Sequence, residues 1–159
     1  MEKKVNLNVG CGRDYKQNFI NMDFDESVKA DVYHNLNVYP YPFDNDTFDF
    51  ILVSHVLEHL LDQYGFMMEM RRILKKDGEI VIKLPIGVFN YAHQRGIHVK
   101  DYFKGLTNKS DKNGQTGNYF SLVYQKRHIR HYIRMYYRFR NWFLNLFADE
   151  WEYKLKKVE

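Results

Sequence analysis

The sequence predicts an α/β protein built on a mostly parallel sheet. Three observations carry this. A run rich in branched residues, Val5-Asn6-Leu7-Asn8-Val9, leads straight into Gly10-Cys11-Gly12, a strand closed by a sharp turn. Phe48-Asp49-Phe50-Ile51-Leu52-Val53-Ser54 is nearly continuous in apolar residues, as a strand covered on both faces should be. A stretch of helical periodicity separates that strand from Glu79-Ile80-Val81-Ile82-Lys83-Leu84, the strand–helix–strand order of a parallel sheet.

The remaining elements follow in order. Phe19 to Met22 is a second strand that delivers Asp23 to its end, and Ala30 to His34 is a short third. Pro40 and Pro42 exclude a central strand or helix interior between Val38 and Phe43, and Asp44-Asn45-Asp46 makes a turn. A helix is expected from His55, interrupted or restarted at Gly65. Phe66, Met70, Ile73 and Leu74 give it one buried face. Lys75 and Lys76 suit the negative end of its dipole, Asp77-Gly78 the turn out, and Pro85 the end of the next strand. Residues 86–117 are loop-rich, and 119–124 read as a strand. In KRHIRHYIRMYYRFRNWFLNLF an apolar stripe through Tyr132, Met135, Tyr136, Phe139, Phe143 and Leu146 opposes Arg127, Arg130, Arg134 and Arg138. Trp151, Tyr153 and Leu155 alternate with charges, which suggests a closing edge strand ending near Val158.

Composition narrows the class. The 159 residues suffice for a single domain with a real core, and 45% hydrophobic content argues against global disorder. No apolar run approaches the ~20 residues of a membrane span. The start, MEKKVNLNV, shows no signal-peptide core, and the single cysteine, Cys11, excludes an internal disulfide. A cytoplasmic protein is the expectation. The net charge of +4 hides an asymmetry: residues 1–62 hold eleven acids against five Lys/Arg, and residues 112–148 hold seven Lys/Arg and no acid. A cationic ligand suits the front, and the basic stripe offers contact to an anionic surface.

The opening Gly-Cys-Gly and Asp23 form a nucleoside-binding corner. A carboxylate at a strand end can accept hydrogen bonds from the vicinal hydroxyls of a ribose. A dinucleotide site also requires a third glycine and a full helix to hold a pyrophosphate, with the acid ~20 residues on. Here Tyr15 occupies the third position, Asp23 comes eleven residues after Gly12, and only Arg13 to Asn18 join the two strands. S-adenosylmethionine has no phosphate and needs the turn and the acid alone. Gly12, Asp23, Asn35 and Ser54 each fall at the end of a strand, and four such ends converging on one crevice make the strongest signal in the chain.

These residues resemble class I S-adenosylmethionine-dependent methyltransferases, most of all the short, type 11-like group found among polysaccharide-biosynthesis genes. The matching pieces are NVGCG, INMD, HNLNVYPYPFDNDTFDFILVSHVLEHL and RRILKKDGEIVIKLP. The resemblance implies a Rossmann-like fold, with an antiparallel last strand and here a reduced helix between strands 1 and 2. It implies a single domain whose residues 1–85 hold the cofactor and whose residues 86–159 form the acceptor or lid region. It places Asn8, Gly10, Cys11, Gly12, Asp23, Asn35, Leu36, Ser54 and His55 around the cofactor. Asn8 stands where the family often has an acid, and Asn35 where many members have Asp.

His55 is the first candidate for a base at an O-acceptor, because imidazole titrates near neutral pH and sits at the pocket mouth; His93 and His98 follow. His55, Glu58 and His59, at i, i+3 and i+4, would share a helical face. Structural hydrogen bonding is the expected role of Glu58 and His59, ahead of a metal site. The expected function is methylation, more readily on oxygen than nitrogen, of a small-molecule or glycan-like acceptor. Two alternatives stay open: a binding module that holds the cofactor weakly or not at all and uses its basic aromatic helix as an anchor, and an RNA methyltransferase. The sequence leaves monomer or homodimer undecided.

Overall fold

The computed structural model describes residues 4–86, 119–128 and 149–158. Its elements are strands β1 (Asn6–Val9), β2 (Ile20–Asp23), β3 (Val32–Tyr33) and β4 (Phe48–Ser54), helix α1 (Gln63–Ile73), and strands β5 (Leu74–Ile86), β6 (Phe120–His128) and β7 (Asp149–Lys157). The seven strands form one sheet in the order β3-β2-β1-β4-β5-β7-β6. The first five are parallel, and β7 runs antiparallel to both β5 and β6. The expected mostly parallel sheet with an antiparallel last strand is present. That last strand lies inside the sheet, with β6 at the edge. Its alternating pattern is explained there by residues that turn Tyr153 and Leu155 into the core.

The core gathers Leu7 and Val9 of β1, Met22 of β2, Ile51 and Val53 of β4, and Ile80 and Ile82 of β5, all fully buried. Phe66, Met67, Met70 and Ile73 bring one face of α1 onto this cluster. Cutting any of these side chains to alanine costs about 2–5 kcal/mol. Asp62 caps α1 by accepting from Gly65 N at 2.8 Å, so Gly65 belongs to the first turn and does not interrupt the helix. Among the described residues no helix is long and apolar enough to cross a membrane.

Several local expectations are corrected. The segment after β4 is not an α-helix from His55. His55 adopts φ +56°, incompatible with helix, and only a 3₁₀ turn, Leu57–His59, follows before α1. Lys75 and Lys76 lie in β5, and Arg71 and Arg72 occupy the last turn of α1. Pro85 does not end β5. Beyond Ser54↔Lys83 the neighbour β4 has finished, while pairing with β7 continues to Ile86↔Asp149, so a residue without N–H is tolerated there. Strand β6 runs on to His128, taking Arg127 out of the expected helix. His93, His98, the acceptor loop and the stripe of Arg130, Arg134 and Arg138 lie outside the described residues.

The link between β1 and β2 holds no helix, only turns. Buried polar side chains take its place. Asn8 Nδ2 donates to the Asp14 carbonyl at 2.9 Å and to Asn21 Oδ1 at 3.1 Å. Asn21 Oδ1 also accepts from Lys16 N, and its Nδ2 donates to the Lys16 and Phe19 carbonyls and to Asp31. A satisfied network of this kind fixes one loop conformation where apolar cover is missing.

Candidate functional site

The sheet register builds the site. Val9 pairs with Met22 on one side and Val53 on the other. The next residue of each parallel strand is therefore level with the others, and these residues are Gly10, Asp23 and Ser54. Asp23 and Gly12 meet directly. Gly12 N donates to Asp23 Oδ2 at 2.7 Å, and Asp25 N donates to Oδ1 at 3.0 Å. Two backbone donors hold the buried carboxylate in one orientation, and lone pairs remain for further donors.

Both glycines are in the left-handed region, Gly10 at φ +61° and Gly12 at φ +51°. They differ in surroundings. A Cβ on Gly10 would run into the Val56 side chain, so this glycine lets the turn pack against the segment after β4. A Cβ on Gly12 would meet nothing within 4 Å. Gly12 thus faces open space beside Asp23, where a ligand can approach the backbone. A cleft of about 370 Å³ adjoins it, bordered by Tyr15, Asp25 and Lys29 among others.

The other expected residues divide. Cys11 is buried, with its N on the Met22 carbonyl and Sγ 3.6 Å from the Lys29 carbonyl. Burial, then the Asp23 charge, pushes its thiol pKa up, which disfavours the reactive thiolate. Asn8 is committed to the loop network, with both amide hydrogens engaged inside the protein. Asn35 is exposed just past β3 and accepts from Asn37 N at 3.0 Å. Leu36 is buried, and its carbonyl accepts from Tyr41 Oη. Tyr41 in turn is fixed by Glu69, which accepts its N–H at 2.6 Å while gripping Arg72 through both carboxylate oxygens. Burial works against the Glu69 charge, but Arg72 and the Tyr41 N–H outweigh it, and its pKa falls below the ordinary value.

His55 follows Ser54, half-buried, with its backbone N on the Lys83 carbonyl at 3.0 Å. Its ring lies between two carboxylates. Nε2 is 2.9 Å from Glu150 Oε2, and Nδ1 is 3.7 Å from Glu58 Oε1. Glu58 is 1% exposed, its Oε1 is 4.0 Å from His59 Nε2, and its Oε2 has no hydrogen-bond partner among the described residues. Glu58 above all raises the His55 pKa. Burial opposes it, and Glu150 adds to it. Among the described residues no group of three or more His, Cys, Asp or Glu could hold a metal ion. Sequence reasoning missed Glu150 and Lys83. Glu150 is 95 residues from His55, and no local pattern marks it.

Residues 7–82 match a family described as "Methyltransferase domain". Over that stretch, just under half of its length, the chain is similar to methyltransferase domains. The match runs from Leu7 in β1 to Ile82 in β5 and takes in Gly10, Gly12, Asp23, Asn35, Ser54 and His55, while Lys83 and Glu150 lie beyond it. A curated relative, the demethylmenaquinone methyltransferase of Bacillus subtilis, is 29% identical over 75 residues, 44% of this chain and 32% of its own length. The chain therefore matches about a third of that protein. Among solved structures, the methyltransferase in complex with the Trm112 activator of Haloferax volcanii superposes with a TM-score of 0.63 at 13% identity, covering 99% of this chain and 84% of that one. The Burkholderia thailandensis 1,6-didemethyltoxoflavin-N1-methyltransferase, solved with S-adenosylhomocysteine, gives 0.60 at 14%, covering 98% and 72%. At these identities the two structures share the fold. The second of these structures holds S-adenosylhomocysteine, and the residues present here fit a cofactor of that class: open backbone at Gly12, a fixed acid at Asp23, and an acidic surround at His55 for a sulfonium.

Proposed function

We propose that this protein is an S-adenosylmethionine-dependent methyltransferase that methylates an oxygen of a small-molecule acceptor. One observation carries the reading: Asp23 and Gly12, from the ends of neighbouring strands, are hydrogen-bonded at the rim of the sheet, beside the open face of Gly12. Asp23 would take the ribose hydroxyls, Gly10 and Gly12 would give the backbone room, and Asn35 and Leu36 would border the adenine. Ser54 and His55 would flank the reacting end. The cofactor supplies an activated methyl group on a sulfonium. The protein's contribution is orientation and, for a hydroxyl acceptor, a place for the proton.

A small acceptor is favoured because the relatives named above act, by their names, on demethylmenaquinone and 1,6-didemethyltoxoflavin. Oxygen is favoured over nitrogen by the imidazole beside Ser54. The test is calorimetric titration with S-adenosylhomocysteine, followed by product analysis with labelled cofactor against hydroxylated and aminated small molecules. Saturable one-to-one binding and label on oxygen are expected. A flat titration overturns the reading in favour of a fold that has lost its cofactor.

A further inference from the structure

We propose that Glu150 of β7 is a positioning residue for His55: it accepts the Nε2 proton, fixes the ring in that tautomer, and so leaves Nδ1 as the nitrogen that receives a proton. The assignment of a proton-accepting role to His55 rests on the methyltransferase reading above; the dyad itself does not.

The geometry distinguishes the two ring nitrogens. Nε2 and Glu150 Oε2 are at hydrogen-bond distance, 2.9 Å. A carboxylate can only accept there, so Nε2 must carry hydrogen. Nδ1 is 3.7 Å from Glu58 Oε1, a charge contact too long for a hydrogen bond. In the neutral ring Nδ1 is therefore a lone pair facing a buried carboxyl group. A proton arriving at Nδ1 makes an imidazolium flanked by Glu58 and Glu150, and both contacts become attractive. When a hydroxyl gives up its proton to Nδ1, the electron pair of the O–H bond stays on the oxygen and the ring takes the positive charge. The two acids stabilise that charge.

Three further restraints keep the ring in place. The His55 backbone sits at φ +56°, and its N–H is held by the Lys83 carbonyl. Lys83 Nζ reaches Glu150 Oε1 at 3.2 Å and Glu152 Oε2 at 3.6 Å, so Glu150 is anchored by its other oxygen. Burial pushes the Glu150 pKa up, but His55 and Lys83 more than offset it, and the net shift is downward. The charged groups that face the ring are thus Glu58 from the turn after β4, with His59 behind it, Lys83 from β5, and Glu150, with Glu152 behind Lys83, from β7.

The test is nitrogen-detected NMR titration of the His55 ring in the free full-length protein, comparing wild type, Glu150→Gln and Lys83→Met. In wild type the neutral ring is expected as the Nε2–H tautomer. Glu150→Gln should lower the His55 pKa and mix the tautomers. Lys83→Met removes a competing cation and should raise the pKa while keeping the tautomer. The opposite signs separate positioning from general destabilisation, which would move both variants the same way. An Nδ1–H tautomer in wild type, or equal titration of wild type and Glu150→Gln, overturns the proposal. Neither readout needs cofactor or acceptor, so a flat S-adenosylhomocysteine titration would sink the methyltransferase reading and leave the dyad standing.

Discussion

Asp23→Asn tests the corner most directly. The carboxylate receives Gly12 N–H at 2.7 Å and Asp25 N–H at 3.0 Å, one on each oxygen. An amide has a single acceptor oxygen, so its NH2 must point at one of these donors, and one bond is lost. A hydrogen bond to a charged acceptor contributes about 1.5–3 kcal/mol, which makes the stability cost about 2 kcal/mol. For a domain of this length that is a fall in Tm of about 4–8 °C. The effect on cofactor affinity is separate. One ribose hydroxyl loses a charged acceptor, for about 2 kcal/mol, or roughly thirtyfold in Kd. Thermal melts without ligand and calorimetry with S-adenosylhomocysteine measure the two effects apart. If Tm falls as stated while Kd stays within about threefold of wild type, Asp23 braces the turn and does not bind ribose, and the orientation of the site is wrong.

Three other outcomes follow from the same structure. Gly10→Ala should destabilise by more than the ~1–2 kcal/mol of a left-handed alanine, because its Cβ also collides with Val56, whereas Gly12→Ala should cost only the backbone term and lose S-adenosylhomocysteine affinity instead; chemical denaturation and calorimetry on the pair distinguish them. Glu69→Ala leaves the Tyr41 N–H without its acceptor and Arg72 without its carboxylate, for about 2–4 kcal/mol by urea denaturation; because the Glu69 pKa is depressed when folded, its contribution is present above about pH 4.5 and the wild-type advantage should shrink as the pH falls below that. The raised pKa of His55 has the opposite sign: its contribution is complete below the ordinary value of 6.5 and is lost as pH rises through the folded pKa, so wild type should exceed His55→Asn in Tm by more at pH 5.5 than at pH 8.5, and an equal gap at both would refute the ion pairing.

The line of chain determined a great deal without help. Apolar continuity in Phe48–Ser54 requires cover on both faces, and glycines straight after Val9 require a turn. Alternation of strand and helix then leaves a parallel sheet as the way to bury those strands, and a parallel sheet aligns Gly10, Asp23 and Ser54 at one edge. These are consequences of side-chain character at short spacing, which a sequence displays directly. Tertiary structure alone decided three things. Asn8 read as a departure from the family pattern and Asn21 only as part of a strand, yet together they are the network that replaces a helix, visible only once Asp14, Lys16 and Asp31 are folded around them. His55 looked like the start of a helix because its neighbours have helical spacing; in the fold it has a positive φ, and its N–H is held by the Lys83 carbonyl of β5. Glu150 meets His55 because β7 enters between β5 and β6, a pairing set by sheet topology over 95 residues and written in no local pattern.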